Sequence, residues 1–202
     1  MKSRPGARTH IRTLTGRDQA AIKAIGRVGI SSKEQLMTNC NLTHERLTKL
    51  CKSNYLESHA DFVHEHGFIT TYKLGKEADR WLRNEQAWDY VRYSKSSEIE
   101  HDVKLARMYF DVPEQLKGYW VPDKHARQLL DLGDAPGRNS MPDAVLLVPV
   151  AFAKQHFKFT ETISNTEYYT IAIEAVGRSY SQQLIEEKAT FAYTHFDHYV
   201  CE

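Results

Sequence analysis

Apolar positions recur at helical spacing three times before residue 55. Ala21, Ile22, Ile25 and Val28 fall on one face of a segment that Thr15 can cap and that ends near Gly26 to Gly29. Ser31 or Ser32 caps a short second segment through Glu34, Gln35, Leu36 and Met37. After Asn39 to Asn41, Thr43 caps a third, with Leu47 and Leu50 inward and Arg46, Lys49 and Lys52 outward. Two strands follow, Tyr55 to Val63 and Phe68 to Leu74. They are joined by His64-Glu65-His66-Gly67, where Gly67 can supply the positive φ of a hairpin. Gly75 then precedes a fourth helix, Lys76 to about Arg83.

Beyond that helix, residues 84–97 read as a connector with strand character at Trp88 to Tyr93, and a helix from Ser97 carries Ile99, Val103, Leu105, Ala106 and Met108. Tyr119 to Pro122 predicts a strand, Asp123 to Leu132 a short helix and Gly133 to Ser140 a loop. Asp143 to Val150 and Tyr168 to Val176 are near-continuous apolar runs, of the kind found in a sheet covered on both faces. Ser179 or Ser181 starts a helix through Tyr193, and His198 to Cys201 a last strand.

These elements predict an α+β chain of two domains. Three short helices, a hairpin and a further helix, with a short polar turn between the second and third helices, are the order of a winged helix-turn-helix domain over 13–84. Residues 1–12, basic and without apolar periodicity, read as a flexible arm. Residues 85–202 read as a small α/β domain.

Charge sharpens the division. The net charge of the 202 residues is only +1. Residues 1–54, however, hold 11 Lys or Arg against 3 acids, a net of +8, and the remainder holds 16 against 23, a net of −7. Such asymmetry points to a polyanion partner for the first part and a different task for the second. No apolar run is long enough to span a bilayer and the start lacks the apolar stretch of a secretory signal, so a cytoplasmic protein with no membrane partner is expected. Cys40, Cys51 and Cys201 form no CxxC pair and suggest neither a disulfide framework nor a thiolate zinc site.

In helix-turn-helix proteins the recognition helix lies in the major groove of double-stranded DNA, held by phosphate contacts from flanking basic and hydroxyl groups. Here that helix is Thr43 to Ser53, with Thr43, His44, Arg46, Lys49 and Lys52 on its solvent side. Arg46 is the expected base reader, since a guanidinium can bond guanine O6 and N7 together. From the arm, Lys2, Arg4, Arg8 and Arg12 are expected on the backbone or in the minor groove. Asp61 and Glu65 near the hairpin tip would repel phosphates.

In the second domain, Asp143 follows Pro142 at the start of one apolar strand and Glu174 lies inside the next. Two carboxylates so placed are how nucleases of the PD-(D/E)xK class hold Mg²⁺, which activates water and stabilises the leaving oxygen. The lysine expected two residues after the second acid is replaced by Val176. Lys188, at spacings of 7 and 4 from Ser181 and Leu184 on the following helix, is the compensating candidate, or else pairs with a neighbouring Glu.

Glu100-His101-Asp102-Val103 on a helix, Pro142-Asp143-Ala144, Ile173-Glu174, and Ser181, Leu184 and Lys188 on a later helix together resemble the replication-relaxation family over about residues 10–200. That resemblance implies a winged helix followed by a restriction-endonuclease-like domain. It also implies DNA binding in plasmid replication, relaxation or mobilisation, with replication or conjugation proteins as further partners and cleavage not assured. Two other roles stay open: a Mg²⁺-dependent, site-selected endonuclease using Asp143, Glu174 and Lys188, and a winged-helix transcription regulator responding to a small ligand.

The remaining constellations are weaker. His59, His64 and His66 lie close on the hairpin, but a zinc site needs three or four converging ligands. No Gly-rich phosphate loop is present. The aromatics Trp81, Trp88, Tyr90, Tyr93 and Tyr109 suit a weld between domains or a homodimer interface, and winged-helix proteins commonly bind DNA as two-fold dimers.

Overall fold

The computed structural model, which describes residues 11–130, 132, 141–156 and 167–202 except the side chain of Ser96, is mixed α and β with two separate sheets. Lys2, Arg4, Arg8 and the 133–140 loop lie outside the described residues. The chain divides into two compact units, Met1–Ala106 and Arg107–Glu202. The division falls 22 residues beyond the 84/85 boundary expected from sequence.

In the first unit the first three helices begin where a short polar side chain can satisfy free N–H groups. Thr15 caps α1 (Gly16–Val28) in a reciprocal capping box with Asp18, and Gly29 ends it in the left-handed conformation at φ 92. The two-residue strand β1 (Ser31–Ser32) follows, and Ser32 caps α2 (Lys33–Asn39) through a second box with Gln35. Asn41, at φ 51, turns the chain into α3 (His44–Lys52), capped by Thr43. The hairpin β2 (Leu56–Val63) and β3 (Gly67–Leu74) then pairs antiparallel with Phe62 opposite Phe68, and β1 adds to the far edge of β3. Ile22, Ile25, Leu36, Leu47 and Leu50 are fully buried. A second apolar cluster joins Ile30, Val63 and Ile99, with Ile69 and Val103 against it.

After α4 (Lys76–Asn84), the segment 85–95 forms no strand, contrary to the strand character at Trp88 to Tyr93. It packs along α1 instead. Arg92 N donates to Gly26 O at 2.9 Å, the Arg27 guanidinium stacks 4.1 Å from the Trp88 ring centre, and Lys73 Nζ donates to Ser94 O. Its apolar side chains are therefore used against a helix face rather than in a ladder. A 3-10 turn at Ser96–Glu98 leads into α5 (Ile99–Asp111), where Asp102 is fully buried, paired with Arg92, and Gln35 Nε2 donates to Val103 O. These contacts are why residues 85–106 belong to the first unit.

The second unit is built on a four-stranded sheet, β4 (Trp120–Pro122), β5 (Ala144–Pro149), β6 (Tyr168–Glu174) and β7 (His198–Cys201), adjacent in that order. β5 pairs antiparallel with both β4 and β6, while β7 runs parallel to β6 and is reached through α9 (Gln182–His195), the helical crossover such a pair requires. Short helices α6 (Glu114–Lys117) and α7 (Asp123–Leu129) precede the loop region, and α8 (Val150–His156) follows β5. Neither α6 nor α8 is expected from the pattern. Val121, Val145, Leu147 and Ala172 meet Phe191, Ala192 and Phe196 in the core between sheet and α9. Among the described residues no helix is long and apolar enough to cross a membrane.

Candidate functional site

The outward face of α3 carries Thr43, His44, Lys49 and Lys52, all exposed, while Leu47 and Leu50 anchor the opposite face. Ile11 N donates to Ser53 Oγ at 2.9 Å, which holds exposed Arg12 near the end of this helix. The face is therefore hydroxylated at its start and cationic toward its end, without a competing acid except exposed Glu45.

Arg46 is not part of that face. Its Nε donates to Asp18 Oδ1 at 2.8 Å and its Nη2 grips Oδ2, so the guanidinium fork is committed to a fully buried carboxylate on α1. Thr15 donates both N (2.6 Å) and Oγ1 (2.7 Å) to Oδ2. Burial alone would raise the Asp18 carboxyl, but Arg46 and Thr15 outweigh it and hold it below the ordinary carboxylate range. This corrects the expectation of Arg46 as base reader: it clamps α3 to α1. Among the described residues His59, His64 and His66 do not come together as a metal-ligating group.

The second unit gathers its acids at one end of β5 and β6. Asp143 immediately precedes β5, and its Oδ2 accepts from Ala175 N, just past β6, at 2.9 Å. Glu174, the last residue of β6, is 1% exposed and offers a carboxylate oxygen within 4.8 Å of one from Asp143. Lys188, buried on α9, places Nζ 2.8 Å from Glu174 Oε1 and donates to Met141 O at 2.9 Å. Its ammonium also lies 5.5 Å from the Tyr180 ring centre. Lys188 is thus neither a surface residue nor the partner of a neighbouring helical Glu. Its amine reaches Glu174 from α9, while position 176 holds Val.

Burial raises the Glu174 carboxyl to about 7, and the nearby Asp143 charge adds to the effect while Lys188 and Tyr180 pull it back. The neighbouring Tyr199 phenol is pushed up by burial and by the charge of Glu174. Two hard oxygen donors from adjacent strands, one half-exposed, are chemically suited to a divalent cation. Tyr180, Met141 O and Ala175 N, which position these groups, carry no sequence signal, since each acts through the place the fold gives it. Comparison with protein-family models, curated proteins and solved structures finds no match for this chain.

Proposed function

We propose that the chain is a DNA-binding protein whose first unit is a winged helix and whose second is nuclease-like, serving replication, relaxation or mobilisation of a plasmid or other mobile element. The observation that carries this reading is the exposed Thr43, His44, Lys49 and Lys52 face of α3, set within the segment that holds the net +8. Phosphates would be met by Lys49, Lys52 and Arg12, and base edges by Thr43 and His44 at the start of the helix. Affinity for duplex DNA is expected to fall steeply with salt, with a slope of about −0.9 per phosphate neutralised, and Lys49→Ala to reduce that slope by about one. Binding unmoved by salt, or none to any duplex, refutes it.

A second reading, a metal-dependent endonuclease, is favoured by the carboxylate pair of Asp143 and Glu174 beside Lys188. Asp143 and Glu174 would hold the cation, which when bound lowers the pKa of water and neutralises the leaving oxygen. Lys188 favours the ionised form of Glu174 against burial and orients it, and the Ala175 N–H orients Asp143. Supercoiled DNA incubated with Mg²⁺ or Mn²⁺, with and without chelator, separates the two. Nicking that chelator and Glu174→Ala both abolish establishes the second reading, and intact DNA favours the first.

A further inference from the structure

At the tip of the β2–β3 hairpin two phenyl rings stand in solvent. Phe68 is 80% exposed and Phe62 is 54% exposed, and they are directly opposed across the ladder. Their ring centres lie 5.4 Å apart, edge to face, with His64 against Phe62 at 5.5 Å. Strand alternation explains the placement. Val63 and Ile69 turn inward to Ile30 and Ile99, so Phe62 and Phe68 fall on the other face. An edge-to-face pair leaves ring faces open, because only one of the two uses its face on the other.

We infer that this pair is a base-stacking wedge that takes an unstacked base of the bound DNA. The inference rests on the DNA-binding reading and adds a second contact to it. Size selects the occupant: two side chains cover at most a few hundred Å², well short of the roughly 1,000 Å² a stable protein interface needs, but ample for the face of a nucleobase. The local charge agrees. Asp61, on the inward face, is committed to Thr71 Oγ1, and exposed Glu65 at the turn disfavours phosphate, so the tip is built for bases rather than for backbone. His64 packs against Phe62, and Glu100 receives the backbone N–H of His64 at 3.4 Å. Phe, inserted at destacked steps, is a common wedge in DNA-bending proteins, and stacking on an aromatic ring is tolerant of base identity.

The test uses the full chain and two probes, a continuous duplex and the same duplex with one bulged 2-aminopurine. Binding is read by anisotropy and stacking by 2-aminopurine fluorescence. The bulged probe is expected to bind about 5- to 150-fold more tightly, with its fluorescence altered on binding. Phe68→Ala is expected to abolish that preference and the fluorescence change while leaving duplex affinity and the melting temperature of the protein unchanged, and Phe68→Tyr to retain both. Duplex binding with no preference for the bulge, or a preference that survives Phe68→Ala, overturns the wedge and spares the DNA-binding reading. No binding to either probe overturns both. Phe68-dependent dimerisation in sedimentation, or Phe68-dependent binding to phosphatidylcholine vesicles, without an effect on the bulged probe, overturns the wedge and assigns the rings to another partner.

Discussion

Replacing Lys188 with Met retains most of the aliphatic stem and removes the ammonium that lies 2.8 Å from Glu174 Oε1 and bonds Met141 O. What this costs depends on pH. Glu174 titrates near 7 in the fold against 4.5 unperturbed. A raised acid means the folded state holds its proton more tightly than the unfolded chain. Its contribution to stability is therefore complete below about 4.5 and lost as pH rises through about 7, a span of about 3 kcal/mol at 1.36 kcal/mol per unit. Without Lys188 the carboxyl stays protonated to higher pH and the loss continues. Relative to the parent chain, the additional electrostatic penalty is near zero at about pH 5 and grows as pH rises through about 8 to about 9. A pH-independent cost of about 1 kcal/mol accompanies it for the lost hydrogen bond to Met141 O. Urea unfolding of the full chain in chelator, followed by tryptophan fluorescence and circular dichroism at the three pH values, reads the difference directly. Glu174→Gln combined with Lys188→Met is expected to flatten the pH dependence. A penalty equal at all three pH values, or one that shrinks as pH rises, refutes the coupling of these two groups.

Three further outcomes follow from the first unit. Arg46→Ala strands the fully buried Asp18 and is expected to cost about 3 kcal/mol in urea unfolding, whereas Lys49→Ala costs less than about 0.5 kcal/mol and acts on DNA affinity instead. Because the Asp18 carboxyl is depressed, its contribution is present above its unfolded value of 3.8 and lost as pH falls through its lower folded value. Asp18→Asn should therefore remove part of the acid limb of the stability profile measured by thermal melts. Gly29→Ala is expected to destabilise the unit by more than about 1 kcal/mol, since Gly29 sits at φ 92 and an added Cβ meets Ser94 N at 2.8 Å, and a parental melting temperature would contradict this.

Most of the element order was legible because the signals are local. Thr15, Ser32, Thr43 and Ser181 each stand before a helix and accept from the N–H three residues on, an interaction completed within a single turn. Strand character at Trp88 to Tyr93 misled because aromatic residues suit either a ladder or a helix face, and only the presence of Gly26 beneath Trp88 decides. The run from Asp143 to Val150 concealed the start of α8, since apolar residues continue across the change of backbone. Arg46 was misassigned because its partner lies 28 residues earlier, and no spacing along α3 reveals it.

The sequence by itself determined the cap positions, the apolar faces and the segregation of charge that divides the chain. It also marked Glu174 as anomalous, an acid within an apolar strand. Only the tertiary structure decided what that acid meets. The crossover through α9 between parallel β6 and β7 carries Lys188 back over the end of the sheet to within 2.8 Å of Glu174. Helix caps and faces depend on neighbours within one turn and can be read from spacing. The state of a buried charge depends on which distant group replaces its lost water, and that is a property of the folded chain.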